Sequence, residues 1–371
     1  MRPLPDRTRW VIVGGGFAGA ATAWALGRAG LGPGVILEQE TSYGFHASGR
    51  NAAIFRLVED DPVVLTLALR SLAHTRALPC PDGPLLQTRG GLTLSGEADA
   101  ARLAKLHGEA IRGGLRSELL TAGEARSRYP LLEGVRFDAA LYCADEGIAD
   151  IHALLTTFVG GARDAGFSLH TGCRAEDLLI AAGRVAGVHT SAGDVGADAV
   201  IDASGAWAGR LGRPERPLPL RALRRHLFVT GSPAGGHHDS PFAWVEDAGV
   251  YFRPEGDGLL LSPCDETEMP PGDPPVDPAA AELLADKLAA CAPAFTDLPV
   301  RRSWACLRTF APDRRPLIGA DPDVAGLFHL SGLGGFGMTT SAAVGELMAT
   351  LVQGRTPDWI DASGVAVGRR W

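Results

Sequence analysis

Gly14, Gly16 and Gly19 stand at G-x-G-x-x-G spacing around Phe17 and Ala18, and Glu38-Gln39 follows roughly 20 residues on. Residues of these types suit a dinucleotide. The first glycine allows a tight turn, the second lets backbone N–H groups approach a pyrophosphate, and the third lets a helix sit close on a strand. The carboxylate is placed to accept hydrogen bonds from a ribose. A second glycine-rich run, residues 332–340, holds Gly334, Gly335, Phe336, Gly337, Met338 and Thr339. A simple dinucleotide dehydrogenase needs one such junction; two fit a larger cofactor with a second end to hold. Two further small-residue stretches allow close backbone approach to a ligand: Ser48-Gly49-Arg50-Asn51-Ala52, and Ala203 to Trp207 with Gly205 between.

These residues need elements to position them. Residues 10–13 are an apolar, β-branched run, as in a buried parallel strand, and residues 20–29 are Ala-rich and helical in propensity. Residues 35–37 form the next strand. The loop 41–58 is expected to lead into a helix capped by Ser48 and begun at residues 51–53. A helix over 62–78 ends at the prolines of 79–84, and Thr121-Ala-Gly-Glu124 is a capping box. From Asp150 the α/β pattern returns: a helix over 151–165, short strands, a hairpin, and an apolar strand at 199–201 running into Ala203. After Pro214, Pro217 and Pro219, strands at 225–230, 241–246, 250–254 and 258–262 read as an antiparallel segment. Residues 263–278 are Pro-rich and expected at the surface. A strand at 301–308, another at 327–331 and a helix over 341–352 complete the chain.

The 371 residues allow about two domains. A net charge of −8, from 35 basic and 43 acidic side chains, argues against nucleic acid and anionic membrane as partners. Residues 10–27 carry no charge, but their glycine pattern favours the nucleotide reading over a membrane span. Six scattered cysteines without C-x-x-C give neither a zinc site nor a disulfide framework, and a cytoplasmic protein without a metal is expected. Only two of the 35 basic residues are lysines, Lys105 and Lys287.

In its glycine runs, His46-Ala-Ser-Gly-Arg-Asn-Ala-Ala53, residues 147–152, residues 203–207, Leu307-Arg308 and Pro312-Asp313, the chain resembles the D-amino acid oxidase/glycine oxidase superfamily of flavoproteins. Within it the pattern is most similar to D-arginine dehydrogenase. The resemblance implies a mixed α/β fold: a Rossmann-like FAD-binding domain (1–80, 140–215 and 301–371) interleaved with a mainly antiparallel β-sheet substrate domain (81–139 and 216–300). FAD would lie with its ADP at the first glycine run and Glu38, and its ring between the domains. Arg308 would clamp a substrate carboxylate, with Tyr251 beside it and Arg225 as a second contact. His46 and Arg50 would position the loop passing the flavin.

Three departures refine this. Gly90-Gly91 stands where D-arginine dehydrogenase has a glutamate for a guanidinium, so a neutral or hydrophobic D-amino acid is expected instead of a cationic one. Ala53 and Met338 replace the arginine and lysine that sarcosine oxidases use for the carboxylate. Strand 258–262 lacks their oxygen-activating lysine, which favours a quinone over O2 as acceptor. Non-covalent FAD is expected, with a link to Cys306 as the alternative, in a monomer or homodimer. Two other readings stay open: a biosynthetic enzyme acting on a cyclic imino acid, N-alkyl glycine or larger amine, admitted by the Gly90-Gly91 opening; and a non-catalytic nucleotide-binding protein.

Overall fold

Trp10, Val11, Ile12 and Val13 are all buried, because the strand Arg7–Val13 is central to its sheet, parallel to Gly34–Leu37 on one side and Gly193–Asp202 on the other. The computed structural model describes residues 3–80, 83–96, 99–212, 215–231, 233 and 238–370. The break expected at 79–84 and the linker at Pro214 therefore lie partly outside the described residues. Phe167–His170 and Leu327–Ser331 extend the parallel part, and Ala175–Ala181 and Arg184–Thr190 form an antiparallel flank. The helices Phe17–Arg28 and Ser341–Leu351, one from each end of the chain, pack together so closely that a Cβ on Gly345 would collide with the Ala21 carbonyl.

The second sheet has nine strands, antiparallel except where Phe242–Val245 runs parallel to Gly91–Ser95. Its two faces differ by the strand period of two. Phe228, Phe252 and Leu261 bury one face with Leu284 and Leu288 of helix Pro278–Cys291, while Leu227, Tyr251 and Cys306 turn to the other. Strands Ala139–Cys143 and Val300–Phe310 belong to this sheet, although the sequence division placed nearly all of both in the first domain; pairing partners are set by distant residues that local pattern does not reveal. A three-stranded sheet of Ile54–Phe55, Leu86–Gln87 and Gly147–Ala149 joins the two halves.

The capping box at Thr121 forms and opens helix Ala122–Arg128. The expected helix at 51–53 does not. Asn51 instead bonds its own loop, donating to the Ser48 carbonyl and accepting from Ala53 N, and Ala53 takes a positive φ of 59°. No described helix is long and apolar enough to cross a membrane.

Candidate active site

A cavity of about 720 Å³ runs from the first glycine turn to the open face of the antiparallel sheet. Its nucleotide end is built as the spacing requires. Gly14 has φ +107° and lies against the Ala203 carbonyl, so only glycine fits. Ser48 accepts from Phe17 N (3.0 Å), capping the first helix from a remote loop instead of starting a helix of its own. Glu38 accepts from Gly15 N (2.9 Å) and Glu40 N (3.0 Å), and burial raises its pKa against those bonds. Asp202 accepts from Ser204 N (3.2 Å) and Gly209 N (2.8 Å), shaping the turn that presents Ala203, Gly205 and Trp207. Behind it, His329 Nε2 donates to Asp321 (2.8 Å), and Nδ1 lies 3.6 Å from Asp202.

Every residue expected at the cofactor lines this cavity except Gly19, Gly49 and Thr339, which back it. Gly19 and Gly49 are pressed against the carbonyls of Gly14 and Gly44, where a Cβ would collide. The second glycine run reaches the far end, and Gly335 lies directly against the Arg308 guanidinium. This donor set, with glycines admitting close backbone approach at both ends, fits an extended dinucleotide.

Arg308, Arg225 and Tyr251 come together on the sheet face. Arg308 makes no hydrogen bond or ion pair with another described residue; burial, then the nearby Arg225 charge, lowers its pKa. Burial raises the Tyr251 pKa, so its phenol stays protonated despite both arginines, and its ring stacks on Trp244 at 4.8 Å. Burial likewise keeps the Cys306 thiol protonated on the cavity wall.

His46 is not with them. Its Nε2 pairs with Glu40 (2.8 Å) and its ring packs on Trp207 (4.8 Å), because a carboxylate six residues earlier in the same loop captures it. Arg50 forms an ion pair with Asp273 and stacks over Phe45. Residues 263–278 are thus more than surface: Gly272 and Pro274 line the cavity. The Gly90-Gly91 opening is also closed, since Tyr142, Glu146 and Phe242 fill the space beside those glycines and neither glycine lines the cavity. Sequence reasoning missed the segment 173–177 and the wall of Ile54, Arg56, Leu227 and Trp244. For residues 173–177 no residue type carried a signal.

Residues 9–351 match the family model DAO, FAD dependent oxidoreductase. The chain belongs to that family. Among its members, mouse mitochondrial sarcosine dehydrogenase is 27% identical over 95% of this chain and 40% of its own length. D-amino acid dehydrogenase from Paramagnetospirillum magneticum is 30% identical over 70% of this chain and 61% of its own length. The chain thus spans less than two thirds of the length of both relatives. Glycine oxidase from Geobacillus kaustophilus has the same fold, with a TM-score of 0.84 at 24% identity, covering 99% of this chain and 100% of that one. Membership in the DAO family makes FAD the cofactor.

Proposed function

We propose that the protein oxidises an amine bearing an α-carboxylate, foremost a neutral D-amino acid. The observation that carries this reading is Arg308, a half-buried guanidinium on the cavity wall with no partner among the described residues. A cation partly withdrawn from water and unpaired is costly, and a carboxylate ligand would relieve that cost through a bidentate fork. Tyr251 would add a neutral O–H donor to the same carboxylate. With the acid group fixed, the substrate Cα is held toward the glycine run at Gly335, and Ile54, Leu227 and Trp244 offer apolar surface to its side chain. FAD, when bound, would supply the two-electron acceptor for the hydrogen leaving Cα. The imine product would hydrolyse to a 2-oxo acid and ammonia.

Similarity to D-amino acid dehydrogenase supports the D configuration. Similarity to sarcosine dehydrogenase across nearly the whole chain favours a second reading, an N-alkyl glycine held by the same clamp. Neither lysine lines the cavity: Lys287 donates to the Gly249 and Pro263 carbonyls, and Lys105 faces Asp60. Slow reaction with O2 and a quinone or dye acceptor follow in this reading, with FAD held non-covalently. The test is anaerobic bleaching of the bound flavin by D- and L-amino acids, N-methyl amino acids and cyclic imino acids. Bleaching by neutral D-amino acids alone supports the first reading, and bleaching by sarcosine alone selects the second. Failure of every carboxylated amine refutes both.

A further inference from the structure

Arg225 and Arg308 both face the cavity, yet the protein supplies a carboxylate to only one of them. Arg225 is buried on strand Arg221–Thr230, opposite Cys306 in register, two residues from Arg308. Its Nε donates to the Asp265 carbonyl (2.8 Å) and its Nη2 to Glu266 Oε1 (3.1 Å), while its Nη1 is buried without a partner. The Asp265 carboxylate feels the Arg225 charge but gives it no hydrogen bond, since His226 holds it through Nδ1 (2.7 Å) and backbone N (2.9 Å). Glu266 is itself held from behind by both terminal nitrogens of Arg314 (2.6 and 3.1 Å), whose guanidinium stacks over Phe310.

We infer that Glu266 is a specificity-determining residue: it occupies, from within the protein, the place of a second substrate carboxylate, and so restricts the site to amines with one acid group. The inference rests on the carboxylate clamp proposed above. One substrate carboxylate completes the charge balance at Arg308. A second would meet Arg225 already engaged and would face Glu266 across it, and like-charge opposition of this kind discriminates strongly between ligands. Without Glu266, Arg225 keeps no carboxylate hydrogen bond and only the Asp265 charge nearby, and a dicarboxylate becomes the better-matched ligand.

The experiment titrates the FAD-loaded enzyme with butyrate and with succinate, near-isosteres differing by one carboxylate, following the flavin spectrum and the heat of binding. Wild type should bind butyrate at least about tenfold more tightly than succinate, and Glu266→Gln should shift that ratio toward succinate by about tenfold or more. Glu266→Asp, which keeps the charge, should retain most of the wild-type ratio. Arg314→Gln, which releases Glu266 to Arg225 alone, should preserve or widen it. A Glu266→Gln protein that binds butyrate with an unchanged ratio overturns the inference. So does a shift toward succinate in Arg314→Gln, the signature of a loop that has merely lost support, and this second variant decides the matter if Glu266→Gln does not take up flavin. If wild type binds neither acid, the clamp itself is refuted, a result distinct from binding without selectivity.

Discussion

Replacing Arg308 with methionine should move activity and stability in opposite directions. The guanidinium can give a substrate carboxylate two charge-assisted hydrogen bonds, each worth roughly 1.5–3 kcal/mol. Losing both removes about 3–6 kcal/mol, or on the order of 10²–10⁴ in kcat/KM. In the substrate-free enzyme the same group is an unpaired cation beside Arg225, with burial and that neighbour both lowering its pKa. Methionine has similar length and no charge to desolvate, so the fold should gain. Arg308 keeps some access to cavity water, which puts the gain near the lower end of the about 1–4 kcal/mol seen when buried ion pairs are replaced by apolar side chains, a rise of about 1 °C or more in Tm for a chain of this size. Anaerobic stopped-flow reduction gives the first quantity and thermal unfolding of the flavin-loaded, ligand-free protein gives the second. Butyrate should raise the melting temperature of wild type and not that of the variant. Reduction within threefold of wild type, or a variant that melts well below it, would refute the reasoning.

Gly14→Ala would force a side chain into φ +107° and against the Ala203 carbonyl, so the purified protein should carry little flavin, read from its visible absorbance relative to protein. Burial pushes Glu146 up to about 6 from 4.5, so the folded state keeps a proton that the unfolded chain loses first. Stability from this group should fall as pH rises from about 4.5 to 6, by about 2 kcal/mol, and Glu146→Gln should flatten that slope in denaturant titrations. An unchanged slope would assign the effect elsewhere. Burial disfavours a charged His329, but Asp202 and Asp321 together outweigh it and raise its pKa above 6.5. Its contribution is therefore present below 6.5 and lost as pH climbs through the raised value. The melting-temperature advantage of wild type over His329→Asn should shrink above neutral pH, and an advantage that grows there would contradict the assignment.

The cofactor end was legible because its residue types answer to local necessity. Gly14 is forced by a positive φ, Gly19 by a carbonyl at its Cα, and a strand buried on both sides shows as an unbroken apolar run. What escaped was decided at long range. Ser48 has the chemistry of a cap, but nothing in the loop 41–58 says that the helix it caps begins at residue 17. Prolines and glycines in 263–278 limit regular structure to the two-residue strand Thr267–Glu268 without saying where the segment travels, so neither its contact with the cavity nor the grip of Glu266 on Arg225 could be read from composition. For His46 the motif marks the loop, whereas Glu40 decides where the ring points. The strand expected at 301–308 was recognised as a strand, and only its partner was not.

The helices that carry the two glycine runs come from opposite ends of the polypeptide and lock together at Ala21 and Gly345. During synthesis the first helix meets Ile151–Asp164 early, Trp24 packing on Phe158, but the second glycine run and the helix behind it arrive only once residue 345 has left the ribosome. Flavin capture is then a late event in biogenesis, and a nascent chain stalled before residue 345 should bind no FAD even though every residue of the first fingerprint has been made.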